Sequence, residues 1–115
     1  MEKSYSLKQL EELSDGSKDF ILEIISVFLS EIPEQVTMLL NAFNKNDFDE
    51  LTRIAHKLKP SIDLLEINSI TKDIRIIEDY SKSGININQL YNVIVNIQTT
   101  LNETSNELKS DFNIK

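Results

Sequence analysis

The chain contains no cysteine. Structural disulfides, thiolate chemistry and Cys-based zinc sites are therefore excluded. It has one histidine, His56, so neither a His-rich metal site nor a metal-binding pair of histidines on one helix can be built. Glycine and proline are scarce, two of each in 115 residues. Long stretches thus lack turn punctuation and read as helix. There is no alternating strand pattern of useful length, no internal repeat and no low-complexity linker. No apolar run approaches the length that crosses a membrane. The first ten residues are too polar to form the apolar segment of a signal peptide. A cytoplasmic protein that does not bind membranes is expected.

What is present suits a small globular unit. Hydrophobic residues make up 40% and charged residues 27%, a mixture that fills a core and still dissolves. A chain of 115 residues fits one domain, 1–115 with a core of about 6–108, and needs no metal or disulfide staple. The net charge is −7 and the pI is about 4.6, which argues against nucleic acid as the main partner. A monomer is expected.

The helical pattern has recognisable punctuation. Ser6 is a candidate N-cap for a short helix over Leu7 to Leu13, and Ser14-Asp15-Gly16 breaks it. Ser17 can cap a second helix, in which Phe20, Ile21, Ile24, Ile25, Phe28, Leu29 and Ile32 form a broad apolar stripe. Pro33 is expected to end or kink that helix; Val36, Leu39, Leu40 and Phe43 then resume the spacing. Asp47 or Asp49 can cap a third helix, which carries Leu51, Ile54, Ala55, Leu58, Ile62 and Leu65 on one face. Asn68 is a candidate cap for a fourth, lined by Ile70, Ile74 and Ile77 and closed by Ser81 to Gly84. The last helix is expected to start near Asn88 and to carry Leu90, Val93, Ile94, Ile97 and Leu101. Thr100, Thr104 and Ser105 are expected to weaken its later turns, with fraying beyond Leu108. The simplest way to bury these faces is an all-α antiparallel four-helix bundle with a short additional N-terminal helix.

The azimuth of His56 is informative. Helix residues advance by about 100° each. With Leu51 at zero, the apolar residues of the third helix fall within roughly 60° of that direction. His56 falls at about 140°, facing away from the core. Thr52 and Arg53 lie one turn before it, Lys59 and Pro60 one turn after, and Asp63 two turns after. Residues three and four apart touch on a helix surface, so Lys59 reaches a group attached to His56. Arg53, Lys57 and Lys59 are three of the twelve basic residues, and no acid lies between Glu50 and Asp63. An acidic chain thus places a cationic patch around its only imidazole. Imidazole is the side chain that is largely a neutral nucleophile near neutral pH. A phosphoryl group attached to it carries negative charge that a nearby ammonium stabilises. The bland reading is a solvated histidine on an ordinary charged helix face.

The string Ala55-His56-Lys57-Leu58-Lys59-Pro60-Ser61 resembles the signature of histidine-containing phosphotransfer (HPt) domains, approximately His-x-Leu-Lys-Gly-x with Ala often before and Ser after. His56, Leu58, Lys59 and Ser61 match, and the helical layout of nearly the whole chain is similar to that family's. The resemblance implies a phosphorelay intermediate without kinase activity of its own. It would accept a phosphoryl group from the aspartate of a response-regulator receiver domain, such as one in a hybrid histidine kinase, and pass it to another receiver. By the same resemblance His56 is the phosphorylated residue and Lys59 neutralises the phosphoryl group. No cofactor is implied for this chain, since the receiver supplies the Mg²⁺. Arg53, Lys57, Pro60, Ser61 and Leu64 are the candidate binding residues around His56.

Pro60 departs from the pattern, standing where the family usually has glycine. It removes an N–H that would have bonded the His56 carbonyl, so a local bend just after His56 is expected. That bend either repositions the ring or leaves the carbonyl to water; alternatively Pro60 is a tolerated variant with no role. Leu64 lies on the outer side of the same helix, and Leu22 and Val27 widen the apolar arc of the second. These three either help to dock a receiver or are covered by the short first helix. A rival function is a non-phosphorylated bundle that binds a receiver or kinase. A hydrolytic enzyme has no second nucleophile, metal cluster or Gly-rich phosphate loop to support it.

Overall fold

The structure, a computed structural model, describes residues 3–80 and 85–114. Every element among these residues is helical: α1 (Lys8–Leu13), α2 (Lys18–Asn44), α3 (Phe48–Leu64), a 3₁₀ turn (Asn68–Ile70), α4 (Thr71–Glu78) and α5 (Ile87–Asp111). α2 packs on α3 and α5, α3 packs on α4, and α4 packs on α5.

Side-chain caps explain where the long helices begin. The Ser17 hydroxyl accepts from the Phe20 amide and the Asp47 carboxylate from the Glu50 amide. Each satisfies an N–H that the helix itself leaves free. α5 begins slightly earlier than its expected start at Asn88. Asn86 is the N-cap, and Asn86 and Gln89 form a reciprocal capping box, worth about 1 kcal/mol for the cap alone. Two other expected caps are corrected. α1 has Leu7 at its N-cap position, and Ser6 stands one residue earlier, its hydroxyl accepting from the Lys8 amide. Asn68 lies inside the 3₁₀ turn and caps neither that turn nor α4. The stop expected at Ser81 to Gly84 lies outside the described residues.

Pro33 does not end α2, which continues to Asn44. The proline is exposed, while Ile32, Gln35, Val36 and Leu39 around it are buried. A proline inside a helix costs about 3 kcal/mol. Burying each large aliphatic side chain returns about 1.5–3 kcal/mol, so an in-phase apolar face on both sides outweighs it. The Thr37 hydroxyl also donates to the Pro33 carbonyl at 2.9 Å.

The expected core faces of α3, α4 and α5 are buried, apart from Val93, which is only half-buried. Phe20 departs from the expected stripe of α2 and is exposed. The later turns of α5 depart too. Thr104 is fully buried and Ser105 nearly so, Leu108 is buried, and the helix runs on to Asp111. The reason is a strap formed by the N-terminal segment. Ser4 bonds the Thr104 hydroxyl at 2.6 Å, and its amide donates to Glu107 at 3.0 Å. Lys3 pairs with Asp111 at 3.0 Å, the Tyr5 hydroxyl donates to the same carboxylate, and the Ser6 amide donates to the Leu65 carbonyl at 2.9 Å. Thr104, which weakens an isolated helix, here gains a tertiary hydrogen-bond partner in Ser4, whereas the Ser105 hydroxyl is buried without one and its turn is held by the surrounding packing.

Candidate functional site

α3 presents its imidazole because its other face is fully committed to the core. Leu51, Ile54, Ala55, Leu58 and Ile62 are buried, which fixes the rotation of the helix. The His56 side chain consequently stands 80% exposed. α3 continues through Pro60 to Leu64.

The neighbour of His56 comes from α4. Ile74 and Ile77 are buried, and the Thr52 hydroxyl of α3 donates to the Phe48 carbonyl at 2.9 Å and reaches the Ile77 carbonyl at 3.4 Å. Phe48 and Tyr80 stack with centroids 5.1 Å apart. These contacts bring Glu78 against the outer face of α3. Its Oε2 lies 3.0 Å from His56 Nδ1 and its Oε1 lies 3.6 Å from Lys59 Nζ. The Glu78 side chain is only 16% exposed, so its bonds compete with little water.

This geometry assigns the tautomer. An ionised carboxylate only accepts hydrogen bonds, so His56 donates through Nδ1–H, and in the neutral ring Nε2 carries the free lone pair. An exposed, unprotonated Nε2 can approach an electrophilic phosphorus in line. Lys59 is held one turn away by the second oxygen of the same carboxylate.

The remaining expected residues divide into two groups. Arg53 is exposed but turns back to Glu50 in an ion pair. That pairing lowers the Glu50 carboxyl and raises the Arg53 guanidinium from their ordinary values, chiefly through the hydrogen bond between them. The cationic patch around His56 is therefore partly neutralised by Glu50 and Glu78. Lys57 and Pro60 are exposed. Ser61 and Leu64 lie away from the imidazole, in a groove of about 250 Å³ shared with Phe20, Glu23, Ile24, Val27, Phe28, Glu31 and Leu65. Val27 and Leu64 thus line an open groove between α2 and α3. Leu22 instead faces the α1 side, beside Leu7, Glu11 and Phe112.

Glu78 was not among the expected site residues. It lies 22 positions after His56, so no local spacing links them. The only signal in the sequence is its place at the edge of the Ile74–Ile77 stripe. Among the described residues no cluster of His, Asp and Glu is arranged to hold a metal ion, and no helix is long and apolar enough to cross a membrane.

Comparison with known proteins bears on this arrangement. A family model described as the Hpt domain matches residues 23–107, a span that includes His56, Lys59 and Glu78. Neither the curated proteins nor the solved structures compared with the chain give a match.

Proposed function

The chain belongs to the Hpt domain family, whose members act in histidine phosphotransfer, and on that premise we propose that it is a phosphorelay intermediate carrying its phosphoryl group on Nε2 of His56. The observation that carries this reading is the His56–Glu78–Lys59 arrangement. One ring nitrogen is occupied by a carboxylate, the other is exposed, and an ammonium is within reach. A silent docking module would have no use for an oriented imidazole beside a lysine.

The proposed cycle uses this geometry. A phosphorylated receiver domain docks over α3, and Nε2 attacks the aspartyl phosphate in line. The P–O bond breaks and its electrons leave with the receiver's carboxylate. Lys59 releases Glu78 and pairs with the transferred phosphoryl group. Positioning and charge neutralisation supply most of the catalysis, as is general for phosphoryl transfer. The Mg²⁺ belongs to the receiver's site. The groove lined by Val27, Phe28, Ser61 and Leu64 offers the apolar part of the docking surface, and Lys57 the exposed charge beside it. Antiparallel packing of the four longer helices is part of this reading, because it places the groove and the imidazole on adjoining sides of α3.

The test uses His56→Gln. Because the side chain is outside the core, the variant is expected to fold like the wild type. It should take no label from a phosphorylated receiver, while the wild-type chain gains acid-labile phosphate. Label on the variant would refute the assignment.

A further inference from the structure

An amide at position 78 would also accept a hydrogen bond from His56 Nδ1 and would orient the ring equally well. The residue is instead a carboxylate, shielded from water and kept next to Lys59. Its charge therefore requires a separate explanation.

That explanation lies in the electron balance of the phosphorylated ring. When Nε2 forms the N–P bond, Nδ1 still carries its proton and the ring becomes a phosphoimidazolium with a formal positive charge. In the onward step a carboxylate or water attacks phosphorus, the N–P bond breaks, and its electron pair returns to Nε2. If Nδ1 has kept its proton, the leaving group is neutral imidazole. If Nδ1 has lost it, the leaving group is imidazolate, a far poorer one. The phosphoryl group is transferable only while that proton stays in place.

We propose that Glu78 is a positioning residue that retains the Nδ1 proton of phosphorylated His56, and so keeps the carrier in its donating form at and above neutral pH. The proposal rests on the assignment of His56 as the phosphoryl carrier. An anion 3.0 Å from Nδ1 favours the protonated ring over the deprotonated one, and the Glu78 carboxylate that supplies it is itself largely shielded from water. The same carboxylate releases Lys59 to the phosphoryl group, so the ring's positive charge becomes its main partner.

The other charged groups near the ring do not substitute for it. On α3, Lys59 and Lys57 are cationic, Arg53 is drawn to Glu50, and Asp63 lies two turns further on. On α4, Arg75 is one turn before Glu78 and is also a cation. α2 contributes Glu23 and Glu31 to the groove at Ser61 and Leu64, away from the imidazole. Glu78 is the anion in contact with Nδ1.

The experiment needs no partner protein. Wild type and Glu78→Gln are phosphorylated with phosphoramidate, and loss of the N–P signal is followed by ³¹P NMR between pH 5 and pH 9. Near pH 5 the two adducts should lose phosphate at similar rates, because both rings are protonated. At pH 8 the Glu78→Gln adduct should persist roughly tenfold longer. In the wild-type adduct at pH 8, ¹H–¹⁵N correlations of the ring should give Nδ1 a protonated signature. Coincident rate profiles, or an unprotonated Nδ1 in the wild type, would overturn the proposal while leaving His56 as the carrier. Absence of any N–P signal on wild-type His56 would overturn both.

Discussion

Replacing Lys59 with alanine tests the neutralising role directly. The Lys59 ammonium lies 3.6 Å from Glu78 Oε1, and its side chain is 39% exposed. Two unit charges about 4 Å apart are worth ~1 kcal/mol in bulk water and ~4 kcal/mol near a protein surface. Lys59 is partly solvated, and it must leave Glu78 before it can pair with a phosphoryl group. The lower part of that range applies, about 1–2 kcal/mol of transition-state stabilisation. Lys59→Ala should therefore slow single-turnover transfer from a phosphorylated receiver by roughly 5–30-fold. Lys59→Arg keeps the charge and should retain most of the rate. Global stability should change by less than about 1 kcal/mol, because a partly exposed ion pair contributes little. Rapid-quench measurement of phosphohistidine, with denaturant unfolding of the same samples, separates the two effects. A Lys59→Ala rate within about twofold of wild type would correspond to under about 0.5 kcal/mol and would refute the assigned role.

Two further outcomes concern stability. Pro33→Ala restores an amide donor in the exposed middle of α2 and removes a steric clash, so unfolding free energy should rise by about 1–2 kcal/mol, after allowance for the freer unfolded chain; a decrease in urea titration would show that α2 depends on the proline. The N-terminal strap should be sensitive to pH at both extremes. Hydrogen bonds from Tyr5 and then Lys3 hold the Asp111 carboxyl below its ordinary value, so its contribution is complete above about pH 4 and is lost as pH falls through the lowered value. Burial, followed by the bond to Asp111, raises the Tyr5 phenol, so its contribution is complete below about pH 10 and is lost as pH rises through the raised value. Asp111→Asn should make the acid limb of the stability–pH curve shallower and Tyr5→Phe the alkaline limb; curves superimposable on wild type would refute the strap's contribution.

The sequence was informative wherever a local rule operated. The 3.6-residue period placed Leu51, Ile54, Ala55, Leu58 and Ile62 inside and His56 outside. Ser17 and Asp47 were legible as caps because a side-chain oxygen three residues before a free amide is a local geometry. The string around His56 pointed to the family that the chain belongs to. The helix end weighed at Pro33 and the weak turns expected at Thr104 and Ser105 failed for one shared reason. Their helix-breaking tendencies are intrinsic costs of a few kcal/mol at most, and such costs are overridden when the segment is buried or given tertiary hydrogen-bond partners. Phe20 was misread in the opposite sense, since an apolar side chain in phase with a stripe still needs a neighbour to cover it.

The outward direction of His56 and its spacing to Lys59 were set by the helix repeat alone, since a rigid 100° step needs no tertiary partner once the core face is fixed. Glu78 came from the fold. Its carboxylate reaches Nδ1 only because Ile74 and Ile77 of α4 are buried and Thr52 ties that helix to α3. The partner of the ring's Nδ1 is decided by a contact between residues 22 positions apart. No local period encodes that pairing; packing of the two helices creates it.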